Sequence, residues 1–278
     1  MYDYDKKHEI DNFVSNFSEY LPYYVYNADT LECIDTEGDL STILKEISKK
    51  CWNGPNVPSR NKNVNGIFGE VFLDFYERIV KKATVACTYA SRRDFNSNYE
   101  NKGYDNVLFR IKNNNIEFVF AESKFVTNKS TASSALVNDI TGKPASKEEK
   151  AIVGHLTRDF MNDYITFVVE KNSYFSDSDK KVLQPFIRNL NNVLINQNGN
   201  FIDFLINNDV CVNCVFFAIF KNKSVNPSDY VDAYDSIYSE AEKHLKNIGF
   251  KNYYIEIVFI PTKSKSTEIK GAINEYYK

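Results

Sequence analysis

The chain has 278 residues, of which 43% are hydrophobic and 26% are charged, and its formal net charge is −3. This composition is ordinary for a folded protein and accommodates one large domain or a domain with an extension. A slightly acidic chain cannot bind nucleic acid through overall charge, so any such contact must use a local patch, a metal ion or a partner. No apolar run approaches the ~20 residues of a membrane span, and the polar N-terminus is unlike a signal peptide, so we expect a cytoplasmic protein without membrane association.

The first 60 residues have the pattern of an irregular α/β extension. We predict a strand around Tyr23–Tyr26 and a helix from Ser41 to Lys50 in this segment. The stretch Trp52–Gly66 is rich in proline, glycine and asparagine, which is typical of a loop or linker. We therefore expect an N-terminal extension over residues 1–60 and a second domain over residues 61–278.

The second domain begins with an amphipathic helix, "GIFGEVFLDFYERIVKK". Its apolar residues recur in pairs every four positions, from Ile67–Phe68 to Ile79–Val80, which predicts one broad buried stripe. Glu70 lies on the opposite, polar side of this helix. A strand near Thr84–Ala90 and a polar loop follow it.

Further helices and strands are predicted towards the C-terminus. In chain order they are a helix at Glu149–Glu170, a helix at Lys180–Leu194, a strand at Val210–Phe220, a helix at Ser228–Ile248 and a strand at Tyr253–Ile260. From residue 66 onward the order is therefore helix, three strands, helices, strand, helix, strand. This order predicts an α/β domain in which helices flank a mixed central sheet.

The second and third strands of that series form a predicted hairpin, "GYDNVLFRIKNNNIEFVFAESKF". Asparagine tolerates positive φ, so Asn113–Asn114 can form a two-residue turn that pairs Lys112 with Asn115. Counting outwards from this turn places Asp105 directly opposite Glu122. A three-residue turn would shift the register and separate the two carboxylates.

The second strand of the hairpin is apolar on both faces until it reaches Glu122, Ser123 and Lys124. Two apolar faces predict a central strand, in which a lone buried charge is costly. Glu122 and Lys124 could pair with each other or reach solvent at the strand end. Alternatively, Asp105 and Glu122 bind a divalent cation such as Mg²⁺ or Mn²⁺, and Lys124 orients the attacking water or offsets charge on a phosphate. Glu70 is a third candidate ligand, although an exposed glutamate would show the same pattern.

These residues carry a resemblance to a known family. The order Asp105…Glu122-Ser123-Lys124, preceded by a helix that carries Glu70, resembles the PD-(D/E)xK restriction-endonuclease-like superfamily, whose core is helix, three strands, helix, strand. More narrowly, "GIFGEVFLDFY", "GYDNVLFR" and "FVFAESKF" resemble the HamA nuclease family of the Hachiman antiphage defence system, from about residue 60 to the C-terminus. One departure from the superfamily pattern is that no proline precedes Asp105.

The resemblance implies a role for each matching residue. Asp105 and Glu122 would bind the metal, with the backbone carbonyl of Ser123 as a further ligand. Lys124 would be the catalytic lysine, and Glu70 would match the helix glutamate that many members use. The implied activity is metal-dependent hydrolysis of DNA phosphodiester bonds by the effector of a defence system. The implied partner is a HamB-like helicase that forms a hetero-complex with the nuclease and gates it.

Other functions stay open at the level of the sequence. A free-standing restriction or repair nuclease would be expected to carry a recognition module, and the sequence shows neither a helix-turn-helix nor a zinc-finger pattern. A catalytically silent nuclease fold would serve as a binding subunit, but Asp105, Glu122 and Lys124 are all present. A small-molecule enzyme is not supported by any G-x-G-x-x-G or P-loop pattern.

Overall fold

The structure is a computed structural model that describes residues 6–25, 40–53, 65–85, 105–113, 115–141, 177–193, 201–224 and 226–278. Two sequence predictions fall outside these described residues. They are the helix at Glu149–Glu170 and residues 86–90 of the first predicted strand.

Eight α-helices lie in the described part of the chain: α1 (Lys6–Val25), α2 (Leu40–Asn53), α3 (Asn65–Phe75), α4 (Lys129–Thr141), α5 (Asp177–Asn191), α6 (Phe201–Asn207), α7 (Val231–Ile248) and α8 (Ser266–Tyr276). A π-helical turn, Tyr76–Val80, continues α3, and a 3₁₀ turn, Pro227–Tyr230, precedes α7. The described strands are β1 (Thr84–Val85), β2 (Asn106–Lys112), β3 (Asn115–Val126), β4 (Cys211–Lys221) and β5 (Tyr253–Thr262). None of these helices is both long and apolar enough to cross a membrane.

The strands form one mixed sheet in the order β1-β2-β3-β4-β5. The pairs β1–β2 and β2–β3 are antiparallel, whereas β3–β4 and β4–β5 are parallel. The sequence prediction of a mixed central sheet flanked by helices is therefore confirmed. As predicted, β3 occupies the central position, with neighbours on both sides.

The hairpin has the register that a two-residue turn predicts. Asn113 has a φ of 52°, and Lys112 pairs with Asn115 across the turn. At the far end of the ladder Asn106 pairs with Ala121, so the next position along brings Asp105 level with Glu122.

Each face of the sheet is covered by its own apolar core, because alternate residues of β3 point in opposite directions. Phe118 and Phe120 lie in one core, together with buried residues of α4, α5, α6 and α7. Val119 and Ala121 lie in the other core, together with buried residues of α1, α2, α3 and α8. The molecule therefore has three layers, with the sheet between two groups of helices.

The predicted strand at Tyr23–Tyr26 is wrong, because Tyr23, Tyr24 and Val25 belong to helix α1. The aromatic residues favour a strand locally, but Phe17, Leu21 and Tyr24 are spaced as one face of a helix and all three are buried. The prediction of a helix at Ser41–Lys50 is confirmed by α2. Both helices pack into the core that also contains α3 and α8.

Besides α1, three described helices have no counterpart in the sequence predictions: α4, α6 and α8. Helix α4, "KSTASSALVNDIT", is rich in serine, threonine and asparagine, which are weak helix formers. Its start is fixed by Asn128, whose side-chain Oδ1 accepts the backbone N–H of Thr131 at 2.9 Å. Its buried residues Ala132, Leu136 and Ile140 recur every four positions and attach it to the sheet face at the end of β3.

Candidate functional site

The polar end of β3 lies beneath α4. Glu122 and Lys124 share the face of the strand that carries Phe118 and Phe120, and their side chains are only 13% and 21% exposed. The Lys124 ammonium donates a hydrogen bond to Glu122 Oε1 at 2.6 Å. The structure therefore shows the alternative in which Glu122 and Lys124 pair with each other, and a metal role for Glu122 stays a prediction.

Helix α4 contributes a residue that the sequence analysis missed. Asp139 Oδ2 lies 2.6 Å from Lys124 Nζ, and the Asp139 side chain is 24% exposed. This contact is an ion pair, and the Oδ2 atom that makes it is buried. Lys124 therefore lies between two carboxylates, one from its own strand and one from the helix above it.

Asp105 is fixed by the residue between Glu122 and Lys124. Its Oδ2 accepts the backbone N–H of Ser123 at 2.7 Å and the Ser123 hydroxyl at 2.6 Å. The N–H and C=O of one residue in a strand point to the same side, so the Ser123 carbonyl also faces the side on which Asp105 lies. The structure thus brings Asp105, Glu122, Ser123 and Lys124 together.

The electrostatics of this cluster are unfavourable for the Glu122 carboxylate. Burial raises the pKa of the Glu122 carboxyl well above its ordinary value, and the charge of Asp105 raises it further, while Lys124 lowers it. Burial lowers the pKa of Lys124, but the carboxylates of Glu122, Asp105 and Asp139 outweigh that effect and raise the pKa above its ordinary value. The carboxylates outnumber the ammonium by two, so the ionised cluster has a negative excess that a divalent cation would neutralise.

The donor atoms fit a divalent cation in type, although they do not form a full ligand set. Carboxylate and carbonyl oxygens are the ligands that Mg²⁺ and Mn²⁺ prefer. Among the described residues, no three acidic, histidine or cysteine side chains converge as metal ligands. The cluster therefore offers two carboxylates and a backbone carbonyl, and waters or substrate oxygens would complete the shell of a small hard cation.

Helix α3 packs against this strand end through Gly69. A Cβ atom at Gly69 would lie 2.8 Å from Ser123 Oγ, which is closer than real Cβ contacts. The neighbouring residue, Glu70, accepts a hydrogen bond from the Tyr24 hydroxyl of α1 at 2.8 Å through its Oε2 atom. The helix that carries Glu70 thus touches the site, and a ligand role for Glu70 stays a prediction.

A cavity of about 550 Å³ lies elsewhere, between α1, the α3–π segment and strands β4 and β5. Phe13, Phe72 and Phe217 are among its mostly apolar walls. None of Asp105, Glu122, Lys124 or Asp139 lines it, so we place the candidate chemistry at the end of β3 rather than in this cavity.

Comparison with known proteins gives a family for the whole chain. No curated protein matches it. The family model described as HamA matches residues 2–275, which includes residues 2–60 as well as every site residue. The resemblance carried by the hairpin is thereby confirmed, and the chain belongs to the HamA family of the Hachiman antiphage defence system.

Proposed function

We propose that this chain is a metal-dependent nuclease that hydrolyses DNA phosphodiester bonds. Membership of the HamA family supports a role in antiphage defence. The observation that carries the nuclease proposal is the buried Glu122–Lys124 pair at the end of a central strand, with Asp105 level with Glu122 across the hairpin. This arrangement and the mixed sheet fit the core of the PD-(D/E)xK superfamily.

In this proposal Asp105 and Glu122 bind Mg²⁺ or Mn²⁺, and the Ser123 carbonyl contributes a further oxygen. When bound, the cation would polarise a phosphoryl oxygen and lower the pKa of a water molecule. The double contact of Asp105 with Ser123 fixes the direction of its carboxylate relative to β3. Glu70 is proposed as an additional ligand from α3.

Lys124 acts in its protonated form. In the metal-free cluster the surrounding carboxylates raise the pKa of Lys124, which favours an ammonium over a general base at neutral pH. It can instead donate hydrogen bonds to the attacking water or to a phosphate oxygen, where negative charge develops in the transition state. Burial makes these interactions stronger than they would be in water.

The direct test is cleavage of plasmid DNA by wild-type protein and by Glu122→Gln, each with Mg²⁺, with Mn²⁺ and with a chelator. The wild type should cleave only with a metal, and the variant should lose at least about a hundredfold in rate, as expected when a metal ligand and its charge are removed. Glu275→Gln is the matched control, because the Glu275 side chain is 69% exposed. Equal cleavage by Glu122→Gln and wild type would refute the proposal and favour a catalytically silent binding subunit.

We further propose that a HamB-like helicase partner delivers DNA to this site in the cytoplasm. A chain with net charge −3 has little long-range attraction for DNA, whereas a DNA-tracking partner would supply affinity and present unwound strand. Co-expression with the adjacent gene product, gel filtration and cleavage assays with and without ATP test this step. Separate elution, together with full activity of the chain alone, would contradict it and indicate a free-standing nuclease.

A further inference from the structure

Asp139 differs from the other acidic residues of the site in what it contacts. It comes from α4 rather than from the hairpin, and Lys124 Nζ lies 2.6 Å from its Oδ2. That oxygen is buried, and its contact with Lys124 is an ion pair. A carboxylate oxygen that is shielded from water in this way is unfavourable unless a positive charge compensates it.

A cation that binds Glu122 would compete with Lys124 for the same carboxylate. Its Oε1 is already the acceptor for Lys124 at 2.6 Å, so a cation that binds this oxygen competes with the ammonium. If Lys124 were displaced without another anion nearby, a buried charge would be left unpaired, which is strongly unfavourable. Asp139 already contacts the same ammonium.

We propose that Asp139 is a positioning residue, which retains the Lys124 ammonium while Glu122 turns to the divalent cation. This inference rests on the proposed function. Asp139 therefore acts through Lys124 rather than as a ligand, and it keeps the lysine within reach of the substrate phosphate. Without the Asp139 carboxylate, Lys124 would keep only its contact with Glu122. A cation that binds Glu122 would then have to break that contact and leave the ammonium without either carboxylate.

The prediction concerns cation affinity. Asp139→Asn should bind Mn²⁺ about tenfold or more weakly than wild type, in the range found for residues that support metal ligands. Calorimetric titration of the full-length chain with Mn²⁺ gives this without any cleavage assay. Asp139→Glu, which restores the charge, should recover most of the affinity. Asp235→Asn is the matched control, because Asp235 is an exposed aspartate in α7.

A second background separates positioning from a general structural role. In Lys124→Met there is no ammonium to retain, so adding Asp139→Asn should change the Mn²⁺ affinity by less than about threefold. If Asp139→Asn alone fails to fold, the double variant still tests the role, because it contains no ammonium that could lose its contact with Asp139. An equally large loss in both backgrounds would overturn the inference, because Asp139 would then act on the cation or the fold directly.

The outcomes distinguish this inference from the proposed function. Loss of Mn²⁺ binding in Glu122→Gln with unchanged binding in Asp139→Asn would overturn the role of Asp139 and leave the nuclease proposal intact. Unchanged binding and cleavage in Glu122→Gln, or no Mn²⁺ binding by wild type, would overturn both. The positioning role of Asp139 would be supported if Asp139→Asn weakens Mn²⁺ binding in the wild-type background but not in the Lys124→Met background.

Discussion

Glu122 is the residue at which stability and function oppose each other. Its carboxylate is buried at the end of a central strand, and its pKa is raised first by that burial and then by Asp105. A side chain kept for stability alone would not carry a charge in this position. A cation that bound between Asp105 and Glu122 would attract both carboxylates and offset the repulsion between them. The repulsion that destabilises the metal-free protein would therefore favour binding of the cation.

This opposition predicts that removing the charge stabilises the metal-free protein. At pH 8 in a chelator, Glu122→Gln should melt at or above the wild type, by roughly 2–4 °C for each kcal/mol gained. The sign follows because a carboxyl with a raised folded-state pKa contributes stability at low pH and loses it as the pH rises. Thermal melts with Mn²⁺ in place of the chelator test the same point from the other side. The cation should raise the melting temperature of the wild type but not that of Glu122→Gln. A variant that melts several degrees below wild type in the chelator would contradict this account.

Gly69 gives a second prediction at the level of one residue. A methyl group there would meet Ser123 Oγ at 2.8 Å, and that hydroxyl cannot move freely because it donates to Asp105. Gly69→Ala should therefore destabilise the protein by about 1–2 kcal/mol, since overpacking outweighs the better helix propensity of alanine. Gly271→Ala in α8 is the control, because a Cβ there meets nothing within 4 Å. If both variants were equally stabilised in urea unfolding, α3 would not be in close contact with Ser123 at Gly69.

The sequence predicts some of these residues and not others for a physical reason. Asp105 and Glu122 are joined by a local turn, so the chemistry of Asn113 determines their register. Asp139 reaches Lys124 only through the packing of α4 on the sheet. Helix α4 has a weak apolar stripe and poor helix formers, so neither its position nor its aspartate could be read from the sequence.

At the scale of elements, a charged clamp holds the end of the α3–π segment to the hairpin. Arg110 of β2 pairs with Glu77 of the π-helical turn and donates to Glu117 of β3 at 2.9 Å. Asn213 of β4 donates to the same Glu117 oxygen at 2.9 Å. The clamp thus ties the helix that carries Glu70 to the strands that carry the candidate site.

The clamp predicts a specific pH dependence of stability. Burial raises the pKa of Glu77 to about 7, although Arg110 lowers it. The stability that Glu77 contributes is therefore present below its ordinary pKa of 4.5 and is lost as the pH rises through about 7. Urea unfolding at pH 5 and pH 8 should show a larger fall in the free energy of unfolding for wild type than for Glu77→Gln. Identical falls in both proteins would indicate that Glu77 titrates normally in the folded state.

Helices and strands are predicted correctly from the sequence where their hydrophobic pattern is strongly periodic. The prediction fails where tertiary packing overrides the local propensity of the residues. The helix pattern after Gly66 predicts one continuous helix, and the structure adds a π-helical turn at Tyr76–Val80, where side-chain periodicity gives no signal. In α1 the tyrosines favour a strand by propensity, but packing against α3 and α8 makes them helical.

At the scale of the whole molecule, helix α1 packs into the core that also contains buried residues of α2, α3 and α8. Phe17 and Leu21 are fully buried in that core. Polar contacts reinforce the packing, since the Tyr20 hydroxyl donates to buried Asp74 at 2.7 Å and Tyr24 donates to Glu70 at 2.8 Å. The N-terminal segment thereby touches the helix that carries a candidate ligand, and the family match that begins at residue 2 includes it.

The packing of α1 predicts a large effect of one substitution far from the site in sequence. The Phe17 ring lies 5.2 Å from the Phe68 ring and 5.8 Å from the Trp52 ring, measured between centroids. Phe17→Ala should therefore lower the free energy of unfolding by about 3–5 kcal/mol, as for a buried aromatic residue in a domain core. Asn12→Ala in the same helix is the control, because Asn12 is exposed. A single urea transition that shifts to lower denaturant for Phe17→Ala is expected, whereas an unchanged transition would mean that the region after residue 60 folds without α1.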